Sequence, residues 1–124
     1  MNYVDGFLLP VPVENLQAYR RMSQKAGKIW REHGALEYRE CAGDDLGDDL
    51  DVKFGVSFSK TIKLKPGETV VFSWIVFKSR AHRDQVNAKV MKDPRIAKMS
   101  EKGEPMPFDL KRMAYGGFKV LVDV

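Results

Sequence analysis

A single cysteine, Cys41, stands in the chain of 124 residues. An internal disulfide is therefore excluded, and a reducing, cytoplasmic setting is the simplest expectation. No apolar run approaches the roughly 18 residues that a membrane span needs, so no membrane partner is expected. The opening MNYVDGFLLPVPVENL lacks a basic n-region and carries Asp5 early, which does not fit a secretory signal peptide. Charge of one sign is also scarce: 21 basic residues against 17 acidic ones leave a net charge of +4. The basic residues are scattered, with no long Lys/Arg run, no zinc-finger spacing and no RNP-like aromatic motif, so no nucleic-acid partner is expected. The segment GDDLGDDLD places five aspartates between 44 and 51. It lacks the alternating acid spacing, the mid-loop glycine and the final glutamate of an EF-hand, and reads as a solvated loop. No metal and no cofactor are expected.

What is present suits one domain over 1–124 with a real core: 44% of the residues are apolar and 31% charged. Residues 3–9 read as a central strand, with Tyr3, Asp5, Phe7 and Leu9 on one face and Val4, Gly6 and Leu8 on the other. Pro10 and Pro12 should end it. Residues 13–33 read as a helix whose stripe is Leu16, Tyr19, Met22, Ala26, Ile29 and His33. Gly34 is placed to follow its C-terminus, and Gly27 within it marks close packing. Residues 35–42 alternate as a second strand, with Leu36, Tyr38 and Glu40 on one face and Glu37, Arg39 and Cys41 on the other. An insertion at about 44–68 follows. In it Val52, Phe54, Val56 and Phe58 alternate, consistent with a short strand and then a helical turn.

Residues 69–78, TVVFSWIVFK, carry the strongest strand signal and belong at the centre of a sheet. Ser79 can cap a helix over 80–92, Asp93-Pro94 breaks it, and Pro94 can open one more short helix. GEPMPFD reads as loop, and 111–123 as the last strand. The order β-α-β-β-α-β is the ferredoxin-like pattern of an α+β protein: a four-stranded antiparallel sheet with two helices on one face. The helices are expected over Val4, Leu8, Phe118, Val120 and Val122. Tyr3, Phe7, Leu9, Tyr115 and Leu121 would then form an apolar outer face, which a second copy would cover in a homodimer of dimeric α/β-barrel type.

Several residues could carry chemistry. His82 falls on the stripe of Val86 and Val90, either as a packed, hydrogen-bonded histidine or as a proton donor at a sheet–helix cavity. Arg80 and Arg83 sit at the positive end of a helix dipole, where they either hold an anion or pair with Asp84 and the aspartate loop. Asp5, Arg39 and Lys119 are charges within strands; they form an ion network or line a wet pocket with Tyr115. His33 fits a helix C-terminus, and Cys41 a packed thiol. Trp74 shares a face with Phe72 and Val76.

Four blocks, YVDGFLLPVP, GKIWREHGALEYRECAGDD, FSWIVFKSRAHRDQVNAKVMKDPR and RMAYGGF, resemble in that order the YbaA-like family of small bacterial proteins, a domain of unknown function, over nearly the whole chain. That resemblance implies a dimeric α/β-barrel fold, whose wider superfamily holds monooxygenases, haem-degrading enzymes, isomerases and plain ligand binders. Haem-degrading and quinone-forming members often pair a barrel tryptophan with a histidine on the second helix and an asparagine on the first strand. Here Trp74 and His82 match that pattern, whereas the first strand offers Asp5 and no asparagine except Asn2 at its edge. The resulting expectation is a homodimer that binds an unknown small molecule between sheet and helices. The alternatives are a cofactor-free monooxygenase or isomerase using His82, Trp74 and Tyr115, and a pure protein-interaction module.

Overall fold

The chain forms β1 (Tyr3–Pro12), a 3-10 turn at Val13–Asn15, α1 (Leu16–Glu32), β2 (Glu37–Ala42), α2 (Phe58–Thr61), β3 (Glu68–Phe77), α3 (Arg80–Lys92), α4 (Pro94–Glu101), a 3-10 turn at Leu110–Arg112 and β4 (Ala114–Lys119). The structure, a computed structural model, describes residues 1–47, 55–101 and 106–124. The expectations for Asp48, Asp49 and Asp51, for Val52 and Phe54, and for the Gly103–Pro105 part of the loop lie outside the described residues. The sheet order is β2-β3-β1-β4 with every neighbouring pair antiparallel, the expected ferredoxin-like topology.

β1 runs through both prolines instead of stopping at Leu9. Val13 donates its N–H to Gly67 O at 2.9 Å, on the β3 side. Backbone groups alternate along a strand, so Pro10 and Pro12 turn their nitrogens the other way, towards β4. Pairing with β4 stops at Leu8↔Ala114, so neither proline removes a ladder bond. β4 is shorter than expected for a related reason. Its residue Lys119 already stands opposite Tyr3, the first residue of β1. After Val120 donates to Asn2 O at 3.0 Å, there is no further strand to pair with.

The register also fixes the two faces, and they are the reverse of the expectation. Tyr3, Asp5, Phe7 and Leu9 stand opposite Phe77, Ile75, Ser73 and Val71, so these side chains share a face. That face is the one the helices cover. Tyr3, Ile75 and Phe77 pack with Ile29 of α1 and Val86 and Val90 of α3, and Leu9, Val11 and Val71 pack with Tyr19. β1 is apolar on both sides, so alternation along it does not choose a side; the helices do. Gly27 helps fix the choice, because a Cβ there would lie 2.6 Å from the Tyr38 ring. The helix backbone approaches β2 only because that position is glycine. Gly34 follows α1 with φ +117, as expected of a helix C-terminal glycine.

The other face carries Val4, Leu8, Phe72, Trp74, Val76 and Phe118. Phe72 is 43% exposed and Phe118 60%. The helical turn α2 lies on this side, its Phe58 ring stacked 6.0 Å from that of Phe72. α3 begins as expected: the Ser79 side chain accepts the His82 N–H at 3.1 Å, and Val86 and Val90 point inward.

Candidate functional site

β2 alternates, so Tyr38 and Glu40 share the helix side of the sheet with Ile75 and Ser73, their partners on β3. Tyr19 reaches down from α1. Its hydroxyl donates to Glu40 Oε1 at 2.8 Å, and the Tyr38 hydroxyl donates to Glu40 Oε2, also at 2.8 Å. The half-buried carboxylate is thus held by two phenols, and among the described residues it forms no ion pair. Burial, reinforced by the negative charge of Glu40, pushes both phenols well above the ordinary tyrosine range, so both act as donors.

Two cavities meet at this trio. A groove of about 480 Å³ runs between α1 and the outer strand β2, lined by Leu16, Gln17, Arg20, Gln24, Arg31 and Ala42 among others. A second chamber of about 240 Å³ adjoins it, walled by Phe7, Leu9, Met22, Trp30, Phe108 and Met113 among others. Tyr19, Ser23, Tyr38 and Glu40 line both. The walls of the chamber are aromatic: Phe108 meets Tyr19 edge-on at 5.5 Å, and Trp30 lies 6.2 Å from Tyr38. A mainly apolar recess with a small number of convergent polar groups is the usual form of a small-molecule site.

The residues singled out from the sequence do not converge there. His82 packs edge-on against Phe77 at 6.1 Å. Its Nδ1 accepts the Lys78 N–H at 3.0 Å while its own N–H goes to Ser79. It thereby completes a reciprocal cap at the start of α3. It lines neither cavity. Trp74 and Arg39 belong to strands that bound the smaller chamber, yet their side chains alternate to the open face. There Trp74 Nε1 donates to Glu37 Oε1 at 3.1 Å, and Arg39 lies 3.4 Å from Glu37. Tyr115 stacks over Phe7 at 6.5 Å on the helix side but is 75% exposed at the sheet edge. His82 and Trp74 therefore lie on opposite sides of the sheet, and His82, Trp74 and Tyr115 do not form one site.

Asp5 and Arg83 pair with each other at 2.7 Å, and Arg83 also holds Asp84 at 2.7 Å. That is the ion-network alternative for both. Arg80 is exposed at the start of α3, and Lys119 is exposed at the end of β4. His33 pairs with Asp93 at 2.8 Å, which ties the end of α1 to the turn between α3 and α4. Tyr19, Tyr38 and Glu40 were not singled out from the sequence. The available signal was a glutamate on the same strand face as a tyrosine.

Comparison with known proteins agrees with this architecture. Residues 2–110 match the family described as "Protein of unknown function (DUF1428)". The chain is 46% identical to the "Uncharacterized protein YbaA" of Escherichia coli K12 over 123 residues, 99% of each chain. The protein of the same description from Shigella flexneri matches to the same extent. Among solved structures, a dimeric ferredoxin-like protein from an uncultured marine organism covers the whole of both chains with a TM-score of 0.54 and 11% identity. A de novo designed protein, Foldit4, covers 97% of this chain with a TM-score of 0.50. Those two share the fold. The family match over most of the chain and the full-length relatives establish that this protein belongs to the DUF1428 family of unknown function.

Proposed function

We propose that the protein is a small-molecule-binding homodimer whose ligand lies between the sheet and α1. The observation that carries the binding reading is the pair of cavities joined at Glu40, one of about 480 Å³ and one of about 240 Å³. The smaller has mainly apolar and aromatic walls, the larger a mixed lining that includes Gln17, Arg20, Gln24 and Arg31, and both share the same carboxylate. A concave recess with aromatic walls and a few convergent polar groups is the form that small-molecule sites usually take.

Dimerisation has its own support. The face opposite the helices shows Phe72 and Phe118 to solvent, next to Trp74, Val4 and Leu8. An apolar patch of this kind on one sheet face is the usual mark of an interface, and two copies would close it sheet to sheet. The similar marine protein is described as dimeric. Native mass spectrometry of protein purified from cells tests both halves. The expected spectrum is a dimer that carries a small non-covalent adduct, shed on mild activation. A monomer free of adducts, from cells and after incubation with a metabolite extract, would refute the reading.

A further inference from the structure

We infer that the ligand of this site is a small organic cation, an amine or amidine on an apolar body of about ring size, with its charged nitrogen at Glu40 and its body in the chamber of Phe7, Met22, Trp30 and Phe108. The inference rests on the binding reading above and assigns it a ligand class.

Glu40 is the starting point. It is half-buried, its two oxygens accept one phenol each at 2.8 Å, and no cation pairs with it among the described residues. A carboxylate offers about four acceptor positions, so roughly two stay open. Two neutral phenols steady such a charge but do not neutralise it, and its open acceptor positions suit a charged N–H donor. A cationic ligand supplies that donor.

The surroundings fit a cation better than an anion or a neutral donor. Two tyrosines flank the carboxylate, and Trp30 and Phe108 lie behind them at 6.2 and 5.5 Å. Aromatic rings around a carboxylate are the common chemistry of ammonium recognition, because the ring faces are negative. Within the chamber, Met22, Met113 and Leu9 complete the apolar wall. Arg20 and Arg31 line the outer groove and would repel a cation there, so the charged nitrogen and its apolar body belong on the chamber side of Glu40.

The test uses three probes of one shape: 2-phenylethylamine, neutral 2-phenylethanol and anionic 3-phenylpropionate. Their affinities for the full-length protein at neutral pH are measured by calorimetry and by NMR shift mapping. The expected result is saturable amine binding at least tenfold tighter than the alcohol, with shifts at Tyr19, Tyr38 and Trp30 and no binding of the acid. In Glu40→Gln the amine preference falls to within about twofold of the alcohol. In Tyr19→Phe, which keeps the carboxylate, the preference stays. Alcohol or acid binding at the chamber without an amine preference would overturn the cation inference and leave the pocket reading standing. No shift at the chamber with any probe, together with adduct-free native spectra, would overturn both. An amine preference that persists in Glu40→Gln while the variant merely loses stability would show that Glu40 is only a structural strut, and would also overturn the inference.

Discussion

Arg83 on α3 reaches across to Asp5 on β1 with an Nη1–Oδ1 distance of 2.7 Å, while its guanidinium lies 5.0 Å from the centre of the Tyr3 ring. Asp5 is buried on the helix side of the sheet. The pair pins the second helix to the first strand and resolves two charges that looked, in the sequence, like ligand contacts. Arg83→Met keeps the apolar stem but strands the Asp5 carboxylate, and should cost about 3 kcal/mol in urea unfolding. The double variant Asp5→Asn, Arg83→Met should recover at least half of that loss. If the single variant matched the wild type, Asp5 would not depend on this partner.

The exposed sheet face gives a directional prediction. Phe118→Asp or Phe72→Asp should halve the sedimenting mass at micromolar concentration while leaving the fold of each protomer intact, since both rings are largely in solvent within one copy. Phe7→Asp should act differently. It lies on the helix side, packed against both core clusters, so its signature is loss of cooperative unfolding rather than a clean monomer.

Gly27→Ala should destabilise the protein even though alanine is the better helix former by up to about 1 kcal/mol. The added methyl would sit 2.6 Å from the Tyr38 ring, and displacing that ring disturbs its bond to Glu40. A net loss of about 1–3 kcal/mol is expected, read as a lower urea midpoint at unchanged slope. A gain in stability would mean that Tyr38 moves aside freely.

Asp93 sets an acid limit. It is buried, accepts from Arg95 at 2.8 Å and meets His33 at 2.8 Å. The hydrogen bonds from Arg95, then from His33, hold its carboxyl well below the usual carboxylate range. The unfolded chain therefore takes up this proton first, near pH 3.9, and the folded one only at much lower pH. The stabilisation is complete above that range and is lost as pH falls towards the folded value. Asp93→Asn should be less stable than the wild type at pH 6, and the gap should narrow below about pH 4. A gap that is constant with pH would show that the charge on Asp93 is not what stabilises.

Local signals in the sequence were legible where one residue decides the outcome. Ser79 caps α3, Gly34 ends α1, Pro94 opens α4, and Gly27 marks a close approach. Element order alone was enough for the topology. Sidedness was not legible, because β1 carries Tyr3, Phe7 and Leu9 on one side and Val4 and Leu8 on the other, both apolar. Only cross-strand register and the fit of α1 against Tyr38 separate them. The prolines of β1 read as strand ends, yet their effect depends on which neighbour their nitrogens face, a tertiary fact. The site was hidden for a similar reason. Glu40 reads as one of many strand charges until Tyr19, 21 residues earlier in the chain, closes over it. His82 shares the inward stripe of Val86 and Val90, yet its Nδ1 is engaged at the start of its own helix by the Lys78 N–H.

That trio predicts an alkaline limit as well. Burial and the charge on Glu40 keep the protons of Tyr19 and Tyr38 on well above the ordinary phenol value. Above about pH 10 the unfolded chain releases those protons and the folded chain does not. The folded state then binds more protons than the unfolded one, so this contribution is complete below that pH and lost as pH rises further. Absorbance at the phenolate band should show two tyrosines that titrate only as the protein unfolds. Glu40→Gln removes the charge that reinforces the shift, so its two late tyrosines should ionise at lower pH than in the wild type, and its stability should decline less steeply with alkali. Should both tyrosines ionise near the ordinary value in the folded protein, the Tyr19–Glu40–Tyr38 bonds do not persist in solution, and the carboxylate would have to be accounted for some other way.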